Sequence, residues 1–254
     1  MKYKFKLRRE LKIAAALVVL VGIIAFTERK QAAVAVKDVT IKIDNLHANH
    51  FLDESDIMEL MQFKSENLRG ASVDEVSMKG IEKKIEKQPY IKKADIYSDL
   101  KGNLVVKAEL RRPIARIVRN DGSSGYIAED GTIMPVSEKF TSRVVLLSGP
   151  YVSQMLKQTN MNDSEETRKI MELVKRIREN EFWRAQIAQL DIDGKSRVTF
   201  FPQVGDERIE FGKPENFDGK FRKLMIFYKE ILPRTGWNKY NRVNLEYEGQ
   251  IITE

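Results

Sequence analysis

Apolar and polar side chains alternate along residues 104–110, and this period of two predicts a strand with one buried face. A similar apolar pattern over residues 91–96 predicts a preceding strand. Because the turn-forming stretch Asp99–Asn103 separates the two strands, we expect a hairpin. Pro113 has no amide N–H for a ladder, so the pairing ends there and a new strand, Ile114–Val118, begins.

Three further elements precede this hairpin. Residues 39–43 alternate and predict a strand, and Asp53 is an N-cap for a short helix. Ser72 and Glu75 form a capping box for a second helix, which ends before Pro89. The order strand, helix, helix, strand, strand predicts a three-stranded sheet with both helices on one face.

The remainder of the chain predicts a β-rich region with helices packed on an extended sheet. Helical spacing of apolar residues appears over 170–177 and 217–231, whereas Gln154–Asp163 is polar and predicts a loop. We interpret Phe182 and Trp183 as core anchors rather than as a ligand-binding pair. Strands are predicted at Ile114–Val118, Tyr126–Ala128, Val144–Leu147, Ile187–Asp193, Arg197–Phe201, Glu207–Phe211 and Val243–Tyr247.

Residues 13–26 are uncharged and apolar. As a helix they span roughly 21 Å, but an extension to residues 11–27, with Lys12 reaching the headgroups, approaches the ~30 Å of a hydrocarbon core. Basic residues before the run predict a cytoplasmic amino terminus. The sequence thus predicts a basic tail over 1–10, a transmembrane helix over 11–27 and a juxtamembrane linker over 28–35.

A cleaved signal peptide is the alternative for this segment. Ala33 and Ala35 supply a small-x-small pattern, but the charged residues Glu28–Lys30 intervene between it and the apolar run. We therefore favour an uncleaved anchor.

The net charge of +7 does not indicate nucleic-acid binding. Residues 1–12 carry six basic residues and one glutamate, so they account for +5, and the other 242 residues for only +2. A nucleic-acid-binding domain needs a basic face of its own. The 254 residues include no cysteine, which excludes disulfides, a thiolate nucleophile and a cysteine zinc site.

Candidate catalytic or metal-binding residues are few. His47 and His50 are the only histidines and lie among asparagines typical of a loop, so we interpret them as surface residues. Asp191 and Asp193 share a strand face next to a turn, and we interpret them as solvated carboxylates rather than as an acid–base pair. The sequence therefore predicts no catalytic residue, metal, cofactor or small-molecule substrate.

The final strand is the best candidate binding site, because a terminal strand at a sheet edge can pair with an incoming peptide. The alternative is that Val243, Leu245 and Tyr247 seal the core, and both interpretations can hold together. The predicted partner-binding residues are Val243, Leu245, Glu246, Tyr247, Glu248, Gly249, Gln250 and Ile251.

The element order and the runs Pro89–Ile91, Ala94–Ile96, Leu104–Ala115 and Tyr126–Pro135 resemble those of the bacterial cell-division family FtsQ/DivIB. The likeness covers essentially the whole chain and is strongest to members from the Bacteroidetes group. It implies an α+β protein in which a POTRA domain over 36–112 follows the membrane helix. A β-domain over 113–254 then carries a partner-binding strand at its carboxyl end.

The resemblance also implies a non-enzymatic scaffold at the division septum. It would cross the inner membrane once, with the bulk of the chain periplasmic, and would capture the proteins FtsB and FtsL by strand addition. Tyr247 and Gly249 match the family pattern there, but Glu246 stands where many members have Arg.

Two other functions remain open from the sequence. One is a secretion or outer-membrane assembly factor with a POTRA domain, and the other is an envelope enzyme that uses Asp191 and Asp193. Depletion distinguishes them, since filaments without septa indicate division, loss of outer-membrane proteins indicates assembly, and a missing hydrolytic product indicates an enzyme.

Overall fold

A computed structural model describes residues 9–32, 35–46, 49–61, 77–99, 101–122, 124–237 and 239–254. Most of the predicted basic tail, His47 and the capping box of Ser72 and Glu75 lie outside these residues.

Helix α1, Arg9–Ala32, forms over the apolar amino-terminal run, and its side chains from Ile13 to Ile24 are exposed. In the part of the chain that the structure describes, no helix has the length and apolar character needed to cross a membrane. The membrane-spanning helix over residues 11–27 stays a prediction.

The chain forms two compact units. One comprises residues up to 44 together with 53–109, and the other comprises residues 45–52 and 110–254. Segment 45–52 belongs to the second unit because Asn45 Nδ2 donates to the carbonyl of Leu110 at 3.1 Å and the Phe51 ring lies 5.2 Å from that of Tyr126.

The first unit has the predicted element order among its described residues. The elements are β1 Val39–Asp44, α2 Glu54–Leu60, α3 Met78–Glu86, β2 Ile91–Ser98 and β3 Leu104–Leu110. Strand β3 lies between β1 and β2, and it runs parallel to β1.

Local sequence signals account for these elements. Asp53 caps α2 in a capping box with Asp56, which satisfies amide groups that the first helical turn leaves unpaired. Ile57 of α2 and Ile81 and Ile85 of α3 are buried, and alternate residues of β1 are more buried than their neighbours. The unit therefore packs its apolar stripes together, as the period of each element requires.

The second unit contains a sheet of nine described strands. They are β4 Pro113–Val118, β5 Ser124–Ala128, β6 Ile133–Pro135, β7 Val145–Ser148, β8 Ile187–Ile192, β9 Val198–Pro202, β10 Arg208–Gly212, β11 Arg242–Asn244 and β12 Ile252–Thr253. Their order in the sheet is β12-β11-β10-β9-β8-β7-β4-β5-β6. Strands β4, β7 and β8 are parallel neighbours, and β10 runs parallel to β11.

Helices pack against one face of this sheet. Apolar residues of α5 and α7 share a buried core with alternate strand residues such as Ile117, Leu147 and Leu190. Trp183 is buried in this core and Phe182 packs against it, which confirms their interpretation as anchors. The helices are α4 Val152–Met155, α5 Glu165–Glu179, α6 Glu181–Gln186, α7 Phe217–Ile226 and α8 Leu232–Thr235.

A predicted loop and a predicted helix differ from the structure. The predicted loop Gln154–Asp163 contains the end of α4 and a 3₁₀ turn, because Met155 and Met161 are buried and anchor it to the core. The predicted helix over 217–231 continues through a π-helical turn and α8 as far as Gly236. Pro233 lies at the start of α8, directly after the π-helical turn, where its missing amide N–H is tolerated.

Candidate functional site

The carboxyl-terminal strand is shorter than predicted and is not the edge of the sheet. Only Arg242–Asn244 forms β11, which lies between β10 and β12. Leu245 extends the pairing through one hydrogen bond, from its N–H to the carbonyl of Glu210 at 3.0 Å. The chain then turns at Gly249, whose φ of 67° favours a residue without a side chain, and returns as β12. The prediction of a single strand Val243–Tyr247 at the edge is therefore wrong, and β12 forms that edge.

The backbone of β12 exposes hydrogen-bonding groups at this edge. The amide and carbonyl of Glu254 both pair with those of Arg242, at 3.0 and 3.2 Å. Val243 lies opposite Thr253 in the same antiparallel register. Since hydrogen-bonded and non-hydrogen-bonded pairs alternate in such a ladder, the N–H and C=O of Thr253 point away from β11. Sequence reasoning did not select Thr253, because a two-residue strand has no periodic pattern.

The eight predicted partner-binding residues divide by burial. Val243 and Leu245 are fully buried in the core, whereas the Tyr247 side chain is 56% exposed. Ile251 is half-buried against the core. The remaining residues are exposed: Glu246, Glu248, Gly249 and Gln250. The buried residues position the segment, and the exposed residues present a surface beside β12.

A lysine from helix α7 holds this segment in place. Lys223 Nζ donates to the backbone carbonyls of Leu245 and Tyr247, at 2.5 and 2.6 Å. Burial lowers the pKa of Lys223, because desolvation disfavours the charged ammonium. Charged donors make stronger hydrogen bonds than neutral ones, so this contact fixes the path of the chain between β11 and Gly249.

Strand β11 is joined to its neighbours by a polar cluster on the outer face of the sheet. Arg242 donates to both carboxylate oxygens of Glu210, at 2.7 and 2.8 Å, and to Glu254 at 2.6 Å. Asn244 Nδ2 also donates to Glu210, at 2.6 Å. The Arg242 guanidinium lowers the pKa of Glu210. Glu210, Arg242 and Asn244 line a cleft of about 510 Å³ that also includes Arg197, Glu246 and Tyr247.

The two edges of the large sheet differ. At the β6 edge, the Ile133 N–H donates to the carbonyl of Thr159 at 3.0 Å, and Thr132 forms a bridge with Asn160. Segment 159–160 thus covers part of that edge. At the opposite edge, β12 is the last strand in the sheet order.

Comparison with protein-family models gives two matches. Residues 112–254, more than half of the chain, match the family described as FtsQ/DivIB, C-terminal related. Residues 35–109 match a POTRA-like domain. The chain belongs to the FtsQ/DivIB family. No curated protein matches the sequence.

Membership in the FtsQ/DivIB family confirms the resemblance, and it makes the chain a division-related scaffold with a POTRA-like domain. The family consists of division-site membrane proteins that are generally non-enzymatic. The observed order, a POTRA-like unit followed by a mixed α+β unit with a large sheet, agrees with the predicted fold class.

The residues considered for chemistry have structural partners in this FtsQ/DivIB protein. Asp191 accepts a hydrogen bond from Ser148 Oγ at 2.7 Å. Burial raises the pKa of Asp193, but hydrogen bonds from the backbone and side chain of Arg197 outweigh this effect and lower the pKa overall. The His50 ring packs edge-on against Phe140 at 5.6 Å. The residues that the structure describes contain no group of three His, Cys, Asp or Glu arranged to hold a metal ion.

Proposed function

We propose that this FtsQ/DivIB protein is a membrane-anchored scaffold that captures FtsB/FtsL-type division proteins by β-strand addition at its carboxyl-terminal edge. The observation that carries the proposal is the outward N–H and C=O of Thr253 on the last strand of the sheet. An extended partner segment that pairs with β12 would gain main-chain hydrogen bonds, and side-chain contacts would give specificity.

The exposed residues around β12 suit such a partner. Tyr247 supplies a large, rigid ring 56% exposed beside the edge, and Ile252 is 36% exposed. Aromatic side chains of this kind frequently dominate binding energy when a partner buries them. The proposed site therefore keeps the eight predicted residues, of which the buried Val243 and Leu245 position the segment, and adds the edge strand itself.

The charge of this surface predicts the charge of the partner. Glu246, Glu248 and Glu254 are exposed in the carboxyl-terminal segment that includes β12. Many family members have Arg at the position of Glu246, so the sign is reversed here. We propose that the partner segment of this protein carries a basic residue opposite Glu246, because charge complementarity selects partners and sets their register.

Membrane anchoring is part of the proposal and rests on the sequence and the exposed apolar surface of α1. The large apolar side chains between Ile13 and Ile24 are each at least half exposed. An exposed apolar surface of this extent is typical of contact with lipid or another protein. We propose a single-pass inner-membrane topology with a cytoplasmic amino terminus and the POTRA domain over 36–112 and the β-domain over 113–254 in the periplasm, which would concentrate the binding edge near partners in the same membrane.

A proline substitution at Thr253 tests the edge. Thr253→Pro removes the outward N–H and retains the β11–β12 hydrogen bonds, so we expect weaker binding of the FtsB/FtsL-type partner pair by the full-length protein in detergent. Thr253→Ala keeps the N–H and is the matched control. Equal partner affinity for both variants, with circular dichroism showing intact folding, would contradict strand addition at β12.

Fractionation of cells tests the anchor separately. We expect the full-length protein to stay with membranes through a high-salt wash and to be released by detergent. Recovery of a shortened soluble form instead would indicate a cleaved signal peptide.

A further inference from the structure

A second cleft in the β-rich unit lies away from the carboxyl-terminal edge. It has a volume of about 500 Å³ and lies where the parallel strands β4, β7 and β8 begin, next to the last turn of α5. Four arginines from four different parts of the chain line it: Arg116, Arg143, Arg178 and Arg184. We call this feature the arginine cleft.

The described charged residues that line the arginine cleft are all basic. Its described lining residues include no aspartate or glutamate. Arg178 contacts Glu129 at a rather long 3.5 Å, in an ion pair whose carboxylate is 56% exposed. Exposed pairs of this kind contribute little, so a ligand carboxylate can compete for Arg178. Arginines that converge on one cleft favour carboxylate or phosphate, which the planar guanidinium binds through two parallel hydrogen bonds.

Arg116 is held in place for such a contact. Its guanidinium carbon lies 5.6 Å from the centroid of the Tyr126 ring, a cation–π arrangement. Its Nε atom is buried and, among the described residues, has no hydrogen-bond acceptor. The ring contact therefore orders this side chain at the wall of the cleft, and the buried Nε is not a donor that a ligand can reach.

The floor of the arginine cleft is aliphatic. Ile114, Ile177 and Ile187 contribute to it and are nearly fully buried. Leu146 also lines the cleft and is 36% exposed. A ligand that fits must therefore combine negative charge with an apolar group, which a free inorganic anion does not.

We propose that the arginine cleft binds an acidic peptide segment of a partner protein. Its carboxylates pair with the guanidinium groups, and an aliphatic side chain between them occupies the floor. Alternating charge and hydrocarbon at side-chain spacing is a property of a peptide, and a cleft of about 500 Å³ is of the size that holds a few side chains. This surface shares no residue with the proposed FtsB/FtsL-type site, so a scaffold could hold two partners at once.

A peptide titration tests the proposal with the full-length protein in neutral detergent. The probe is a fluorescent hexapeptide of alternating Glu and Val, and its comparison peptide has Gln in place of Glu. We expect the acidic peptide to bind at least about ten-fold more tightly than the neutral one. The double variant Arg143→Glu/Arg184→Glu should reduce its affinity by about ten-fold or more, since both side chains are exposed and their replacement leaves the core intact.

The matched control is Arg168→Glu/Arg222→Glu, which makes the same change in net charge at exposed positions outside the cleft. Arg168 lies about 15 Å from Arg178 along α5. We expect this control to change affinity by less than about two-fold. Equal losses in the two double variants, or equal binding of the acidic and neutral peptides, would overturn the proposal.

Two further experiments test whether another negatively charged ligand, a small anion or an anionic lipid, occupies the cleft. Displacement of the acidic peptide by about 10 mM inorganic phosphate would assign the cleft to small anions and overturn the peptide proposal. Loss of peptide binding in phosphatidylglycerol nanodiscs, but not in phosphatidylcholine nanodiscs, would assign it to anionic lipid and overturn it as well. Binding that persists in both arms supports a peptide.

Discussion

Lys223 on helix α7 donates a hydrogen bond to the backbone carbonyl of Tyr247 at 2.6 Å. The same ammonium group binds the carbonyl of Leu245, so one side chain orders the residues that follow β11. The proposed binding edge thus depends on a helix residue that makes no ladder contact itself.

Replacement of this lysine should loosen the binding edge. Lys223→Met keeps most of the apolar stem but removes both charged hydrogen bonds, and we expect a stability loss of about 1–2 kcal/mol in denaturant titrations. We also expect partner affinity to fall roughly ten-fold, because segment 245–249 must then be ordered on binding. The exposed Lys229, changed to Met, is the control. Loss of stability with unaltered partner affinity would separate Lys223 from binding.

The Tyr247 ring is the predicted hot spot of the edge. Tyr247→Ala should weaken capture of the FtsB/FtsL-type pair by roughly ten-fold or more and leave the thermal midpoint nearly unchanged, because the side chain is 56% exposed. Tyr97→Ala, at a tyrosine of the first unit that is 47% exposed, is the matched control. Isothermal titration calorimetry measures both. Equal affinity of the Tyr247→Ala and wild-type proteins would place the hot spot elsewhere.

Glu210 should make the β10–β11 pairing sensitive to acid. Arg242 lowers the pKa of this carboxyl. The contribution of Glu210 to stability is therefore present above the ordinary pKa of 4.5 and is lost as the pH falls through the lower pKa of the folded state. We expect the hydrogen-exchange protection factors of the amides in 242–254, which correct for the slower intrinsic exchange in acid, to fall below about pH 4.5. Glu210→Gln should accelerate exchange already at neutral pH and show a smaller further change on acidification. An unchanged acid response in this variant would argue against the Arg242 contact.

Glu207 should have the opposite pH dependence. It is 1% exposed, and burial raises its pKa. The folded state therefore favours the protonated carboxyl. Its contribution to stability is complete below the ordinary pKa of 4.5 and is lost as the pH rises through the higher pKa of the folded state.

Glu207→Gln tests this dependence. Glutamine retains an acceptor for the Tyr228 hydroxyl, which donates to Glu207 at 3.0 Å. We expect the variant to gain stability relative to wild type as the pH rises from about 5 to about 8, because no charge is then buried. Urea titrations across this range measure the difference. A constant difference at every pH would show that Glu207 ionises normally in the folded state.

Much of the fold could be predicted because its signals are local. The alternation of residues 104–110 and the capping box at Asp53 each depend on neighbours a few residues away, and both occur in the structure. The spacing of apolar residues predicts the helix over 217–231. It does not predict the π-helical turn, because that turn coincides with the packing of Phe227 and Tyr228 in the core and not with a change in periodicity.

The site was predicted less well. Eight residues between Val243 and Ile251 were selected from the sequence, and their role in binding stays a prediction. The parallel pairing of β10 with β11 and the return of the chain as β12 were missed, because no local pattern tells a strand which neighbour it will take. Lys223 was missed for the same reason, since it contacts backbone more than twenty residues away.

The sequence by itself determined most of the elements, their order, the apolar amino-terminal run and the family, since periodicity, capping and turn residues act over a few positions. Only the tertiary structure decided which strand lies at the edge and which side chains meet. Thr253 comes to lie on the edge strand with its N–H and C=O directed away from β11, and Arg116 joins Arg143, Arg178 and Arg184, through contacts between distant segments. Such contacts form when the whole core packs, and so no stretch of sequence contains them alone.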